Sequence, residues 1–89
     1  MKIEMYDSGY KLSDLYIAAA LLCESNAELD SVSQPDKSRK QVLFAIKGTH
    51  QEIKSKIDDY FNGKLPVDAR RFTHMVQDLK SRIYEVINV

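Results

Sequence analysis

The last third of the chain demands a surface to lie against. From Phe72 onward, apolar side chains recur at Met75, Val76, Leu79, Ile83 and Val86, three and four residues apart. That spacing predicts a helix with one apolar stripe, stable only where a core covers the stripe. Asp68 supplies the N-cap, since its carboxylate can accept from backbone N–H groups two and three residues on. Arg70 and Arg71 fall in the first turn, where the helix macrodipole favours acids rather than bases. This pair is the one local hint of a ligand along the helix.

A second segment narrows the architecture. Leu15, Ile17, Ala18, Ala19, Ala20, Leu21 and Leu22 leave almost no polar side between residues 14 and 24, so this helix is packed on more than one side. Ser13 reads as its N-cap, with Leu12 and Ile17 as the two halves of a hydrophobic staple. A charge placed at Ala19 or Leu22 is then expected to prevent folding. Further on, the period changes from that of a helix to that of a strand. Residues 27–33 and 40–47 read as an antiparallel hairpin, with Val42, Phe44 and Ile46 on one face and Leu43 and Ala45 on the other. Pro35 presets the second position of a β-turn between them. An isolated hairpin is marginal in water, so a third strand from residues 3–5 or 65–67 is expected to join it. Thr49 and Glu52 match a capping box opening a helix that carries Ile53, Ile57, Tyr60 and Phe61 on one face, and Gly63 suits the C′ position after it. The connection to the last helix is short, which predicts that these two helices are neighbours.

The expected fold is therefore α+β: one small two-layer domain over residues 1–89, with three helices, an antiparallel hairpin and a third short strand. Residues 1–10 form either a short edge strand or a loose arm. A chain of 89 residues supports one core, because a second would be too small to offset chain entropy without crosslinks. The single cysteine, Cys23, excludes an internal disulfide and any multi-cysteine zinc site. Its place in the apolar helix suits a buried thiol. No secretory signal or membrane-spanning run is visible, which points to a cytoplasmic protein with no membrane partner.

Thirteen bases and thirteen acids cancel, which argues against a generic polyanion binder. The charges are unevenly placed, however. Residues 1–30 hold two bases and six acids, whereas residues 31–56 hold six bases and two acids. A basic hairpin tip formed by Lys37, Arg39 and Lys40, joined by Arg70 and Arg71 at a helix N-terminus, would suit a phosphate backbone.

The segment Tyr10-Lys11-Leu12-Ser13-Asp14-Leu15-Tyr16-Ile17-Ala18-Ala19, with Tyr60-Phe61-Asn62-Gly63, Val67-Asp68-Ala69-Arg70-Arg71-Phe72 and Asp78-Leu79-Lys80, resembles a small prokaryotic family of domains of unknown function. The likeness runs from Tyr10 to Tyr84. It implies a compact single domain and carries over no catalytic or binding residue.

Catalysis requires a nucleophile or metal together with an acid or base. Cys23 lacks an electropositive neighbour in sequence. His50 opens a helix and is expected to be exposed. His74 lies on the polar side of the last helix. The histidines are not spaced as ligand pairs, no Gly-rich phosphate loop is present, and Asp58 and Asp59 point about 100° apart on their helix, free to offset Arg70 or Arg71. No enzyme activity, cofactor or metal is expected. Five tyrosines and three phenylalanines are many for so small a core, and an exposed aromatic patch would mark a partner surface. The reading that fits best is a non-enzymatic protein-interaction module of a prokaryotic cytoplasmic protein, meeting an unidentified protein or a second copy of itself. The alternative is a nucleic-acid-associated accessory domain using Lys37, Arg39, Lys40, Arg70 and Arg71.

Overall fold

The computed structural model describes residues 1–87; residues 88–89 of the expected domain lie outside the described residues. The elements are β1 (Ile3–Tyr6), β2 (Gly9–Leu12), α1 (Leu15–Glu24), β3 (Glu28–Ser33), β4 (Leu43–Lys47), α2 (His50–Phe61) and α3 (Ala69–Ile87). The class is α+β, as the sequence predicts, and the sheet has four antiparallel strands in the order β1-β2-β4-β3.

The N-terminal arm is where the sheet exceeds expectation. Residues 3–12 form a hairpin of their own, and its second strand, not its first, joins β4. Leu12 is therefore a central-strand residue with no exposure, and Ile3 and Leu12 face the same side as Phe44 and Val32. Alternation is hard to see in a four-residue strand containing a glycine. Gly9 is there because β4 comes close: a Cβ at this position would lie 1.9 Å from the Ile46 carbonyl oxygen. Residues 65–67 do not form a strand.

Helix α1 is the most enclosed of the three helices, with Ile17 to Leu21 and Cys23 all buried, and only β4, buried from Leu43 to Ile46, is more enclosed. Leu22 is only half-buried, so the full enclosure on which the expectation for a charge rests is present at Ala19 and not at Leu22. Asp14, rather than Ser13, caps the helix: its Oδ1 accepts from the Tyr16 and Ile17 N–H groups at 2.8 and 3.0 Å. Ser13 is taken up by the sheet, where its Oγ accepts from the Lys2 N–H and its own N–H donates to the Lys2 carbonyl. The alanines and Cys23 let neighbours approach closely. On the side of α1 that carries Tyr16 and Cys23 lies α3, marked by the Tyr16–Phe72 ring stack at 6.4 Å.

α1 lies between the other two helices. Its contacts with α2 and with α3 are extensive, and none of comparable extent joins α2 to α3. The short connection of residues 62–68 therefore does not make α2 and α3 packing partners, because both find more apolar area on α1. Leu12, Ile17, Leu21, Phe44, Ile46, Ile53 and Leu79 form the fully buried centre. Phe61, expected on the packed face of α2, is instead exposed, its ring meeting Tyr60 edge to face. Gly63 closes α2 at φ 68°, the left-handed conformation glycine adopts without cost. The Thr49 side chain makes no cap bond; Glu52 accepts instead from the Asn26 N–H at 3.4 Å, tying α2 to the α1–β3 connection.

The strand expected over residues 40–47 starts at Leu43, and residues 34–42 form the connection. Its hydrogen-bonded turn runs from Asp36 to Arg39, two residues later than Pro35 suggested, because Asp36 organises it. The Asp36 carboxylate accepts from the Ser38 hydroxyl and N–H at 2.6 and 3.0 Å, and its carbonyl accepts from the Arg39 N–H. Those two bonds, the hydroxyl's first, hold the Asp36 carboxyl below its usual range. No helix among the described residues is long and apolar enough to cross a membrane.

Candidate functional site

The register of the sheet decides which predicted site residues can meet. The basic tip leaves the sheet at Ser33 and Leu43, the end where β2 delivers Leu12 to the start of α1. α1 then runs back, and its last turn lies at the other end, beside Glu28 and Lys47. Arg71 is anchored there. Its Nη2 donates to the Cys23 carbonyl at 3.0 Å, one of the four terminal carbonyls that an α-helix leaves without an internal partner. The Leu21 carbonyl before them takes the last helical bond, from the Ser25 N–H, and accepts from the Ser25 hydroxyl as well. The arginine that looks misplaced at the start of α3 thus complements the end of α1, where the dipole favours a cation.

The five candidate basic residues therefore do not share one face. Lys37, Arg39 and Lys40 are exposed at the tip, where Arg39 lies 3.8 Å from Asp36, while the Arg71 guanidinium sits at the opposite end of α1. Arg70 is exposed, and its side chain makes no hydrogen bond or ion pair among the described residues. Neither Asp58 nor Asp59 offsets either arginine; Asp58 pairs with Lys54 at 3.4 Å. Asp68 caps α3 as the sequence predicts, its Oδ2 accepting from the Arg71 N–H at 2.9 Å.

Of the remaining chemical candidates, Cys23 and His50 are taken up by the packing of the fold. Burial pushes the Cys23 thiol up, outweighing the opposing pull of Arg71, so the thiolate needed for nucleophilic chemistry is disfavoured. His50, contrary to expectation, is half-buried: its Nε2 lies 2.7 Å from the Tyr6 carbonyl, and its ring meets Tyr10 edge to face at 5.8 Å. It ties the start of α2 to the β1–β2 turn. His74 is exposed on α3. Among the described residues, no three His, Cys, Asp or Glu side chains gather as a metal site would require.

What the fold does assemble is a cleft at the sheet's β3 side. Its volume is about 610 Å³, and Leu22, Ala27, Leu29, Met75 and Leu79 form an apolar lining drawn from α1, the α1–β3 connection, β3 and α3. Glu28, Asp78 and Glu85 stand around it with Arg82 and Ser81, three acids against one base. The Arg71 bond and the Ser25 hydroxyl, which accepts from the Ala27 N–H at 3.1 Å, hold the parts of this cleft together. β3 pairs with β4 on one side only and carries a bulge between Leu29 and Ser31. The intervening Asp30 turns to the outer face and accepts from the Tyr6 hydroxyl at 2.9 Å. In sequence, Leu22 belongs to the apolar helix and Leu29 to the strand over residues 27–33, with nothing to set them apart. The cleft has no local sequence signal, since its lining comes from three separate elements.

Comparisons with curated proteins and with solved structures return no match. A family model does match, over residues 7–85, a span that takes in every element above except β1 and the last two residues of α3. The chain belongs to the family described as Domain of unknown function (DUF5659).

Proposed function

We propose that this protein is a non-enzymatic protein-interaction module of a prokaryotic cytoplasmic protein, and that its cleft takes an apolar side chain flanked by lysine or arginine from a segment of a partner protein. The observation that supports this reading is the cleft itself: an apolar lining beside an edge strand, rimmed by Glu28, Asp78 and Glu85 against Arg82. Apolar lining supplies affinity, and the excess of acid selects for a basic flank and against an acidic one. An edge strand with unpaired backbone groups is a common docking line for an extended peptide.

The test is an NMR titration of the isotope-labelled protein with short peptides alternating valine and lysine, compared with peptides alternating valine and glutamate. Shifts centred on Leu22, Leu29, Met75 and Leu79 with the lysine peptides alone are the expected result. Equal response to both peptides, or none at millimolar concentration, overturns the reading. A parallel titration with a single-stranded oligonucleotide whose shifts centre on Lys37, Arg39 and Lys40 would favour the nucleic-acid alternative instead.

A further inference from the structure

The sheet has a second free edge, β1, and the pattern of that strand is complementary to itself. Lys2 exchanges both of its backbone groups with Ser13: its N–H donates to Ser13 Oγ at 2.8 Å, and its carbonyl accepts from the Ser13 N–H at 3.0 Å. In an antiparallel pair these inward-facing residues alternate with outward-facing ones. Ile3 and Met5 therefore turn their N–H and C=O groups away from β2, toward open solvent. Their side chains are on the helix-bearing face of the sheet and stay uncovered, with Met1 at 67 %, Ile3 at 36 % and Met5 at 63 % exposure.

We propose that β1 pairs antiparallel with β1 of a second copy of this chain, Ile3 opposite Ile3, so that two four-stranded sheets become one of eight. The backbone and the charges select this register together. Outward-facing odd residues must meet odd residues, which leaves few alignments. Centring the pair on Lys2 sets Lys2 against Lys2, and centring it on Glu4 sets Glu4 against Glu4. Centring it on Met5 leaves a shorter overlap that runs into the Asp7-Ser8 turn. With Ile3 at the centre, Lys2 faces the partner's Glu4, Glu4 faces the partner's Lys2, and Met1 faces the partner's Met5. The two charge pairs then occupy non-hydrogen-bonded positions, where opposing side chains are closest. Within one chain Lys2 and Glu4 are 3.8 Å apart, and pairing extends this contact across the two-fold axis. Charges on an edge strand normally discourage pairing. Here their alternation discourages the two alignments on either side of the Ile3-centred one. The β1 edge is the opposite side of the sheet from the cleft, so both surfaces can be engaged in one molecule.

The test is sedimentation equilibrium of the untagged protein up to about 1 mM, since a contact of five residues per chain is at the small end of specific interfaces and associates weakly. Lys2→Glu and Glu4→Lys each place like charges opposite one another and should weaken association about tenfold or more. Mixing these two variants restores opposite charges and should restore association, as should the double substitution Lys2→Glu with Glu4→Lys. Asp78→Lys in the cleft should leave the dimer unchanged. A wild-type protein that stays monomeric overturns the proposal. So do single variants that associate like the wild type, or a mixture that fails to associate.

Discussion

Replacing Arg71 with alanine removes a guanidinium from the end of α1 and leaves the Cys23 carbonyl to whatever water can reach it. The bond is 3.0 Å long and carries a full positive charge on the donor. Hydrogen bonds to charged groups contribute about 1.5–3 kcal/mol net. Arg71 is exposed, so water screens the charge and replaces part of the bond, and the contribution falls to the bottom of that range or somewhat below it. The expected loss is about 1–2 kcal/mol, the favourable dipole contribution at the helix end included. Arg70 is the internal control. It has the same charge one residue away and no partner among the described residues, so Arg70→Ala should fall within about 0.5 kcal/mol of wild type. In urea, where a domain of this size has a slope of about 1 kcal/mol/M, the Arg71 variant's midpoint should drop by about 1–2 M while the Arg70 variant's barely moves. Equal effects of the two substitutions, or a larger one at Arg70, would refute the assignment of Arg71 to α1.

Three further outcomes are expected. Ala19→Asp should give no soluble, cooperatively melting protein, whereas Leu22→Asp should fold, because Ala19 is wholly enclosed and Leu22 opens onto the cleft; expression and thermal melting of both variants distinguish the two. Gly9→Ala should cost about 3 kcal/mol or more in chemical denaturation, since its methyl group would meet the Ile46 backbone carbonyl rather than a side chain able to move. The Tyr6 hydroxyl is pushed up to about 12 by burial and then by its hydrogen bond to Asp30 and the charge there. The folded state thus keeps its proton where the unfolded chain loses it, so stability present below pH 10 declines as the pH rises toward 12. Tyr6→Phe should lack that decline, and identical loss in both proteins between pH 9 and 11 would contradict the assignment.

The helices were legible in the sequence because each carries its own evidence. The stripe from Phe72 to Val86, the Asp68 cap and the Gly63 stop are local patterns, and all three lie where they were read. Caps with two candidates side by side were less legible. Ser13 and Asp14 can both accept from a helix N-terminus, and the choice depended on Lys2, eleven residues away, claiming Ser13. Thr49 and Glu52 form a capping box in sequence, yet Glu52 is diverted to Asn26. Long-range pairing defeated local reading in the sheet as well: β2 is central only because β4 arrives beside it, and Gly9 looks like a loop residue until Ile46 is placed against it. The site was least legible of all. Arg71 drew notice as an anomaly at the start of α3, but its explanation lies at the end of α1. The cleft is a meeting of three elements whose residues are each unremarkable along the chain.

The most direct measurement is affinity capture of a partner from the native host by three forms of the protein, with the captured protein identified and its binding then repeated with purified components. The three forms are the wild type, a cleft variant carrying Asp78→Lys and Glu85→Lys, and a tip variant carrying Lys37→Ala, Arg39→Ala and Lys40→Ala. A module that binds through its cleft retains the same purified partner with the wild-type and tip variants and loses it with the cleft variant. A partner that survives the cleft substitutions and is lost with the basic tip, or one whose retention depends on nucleic acid, would contradict it.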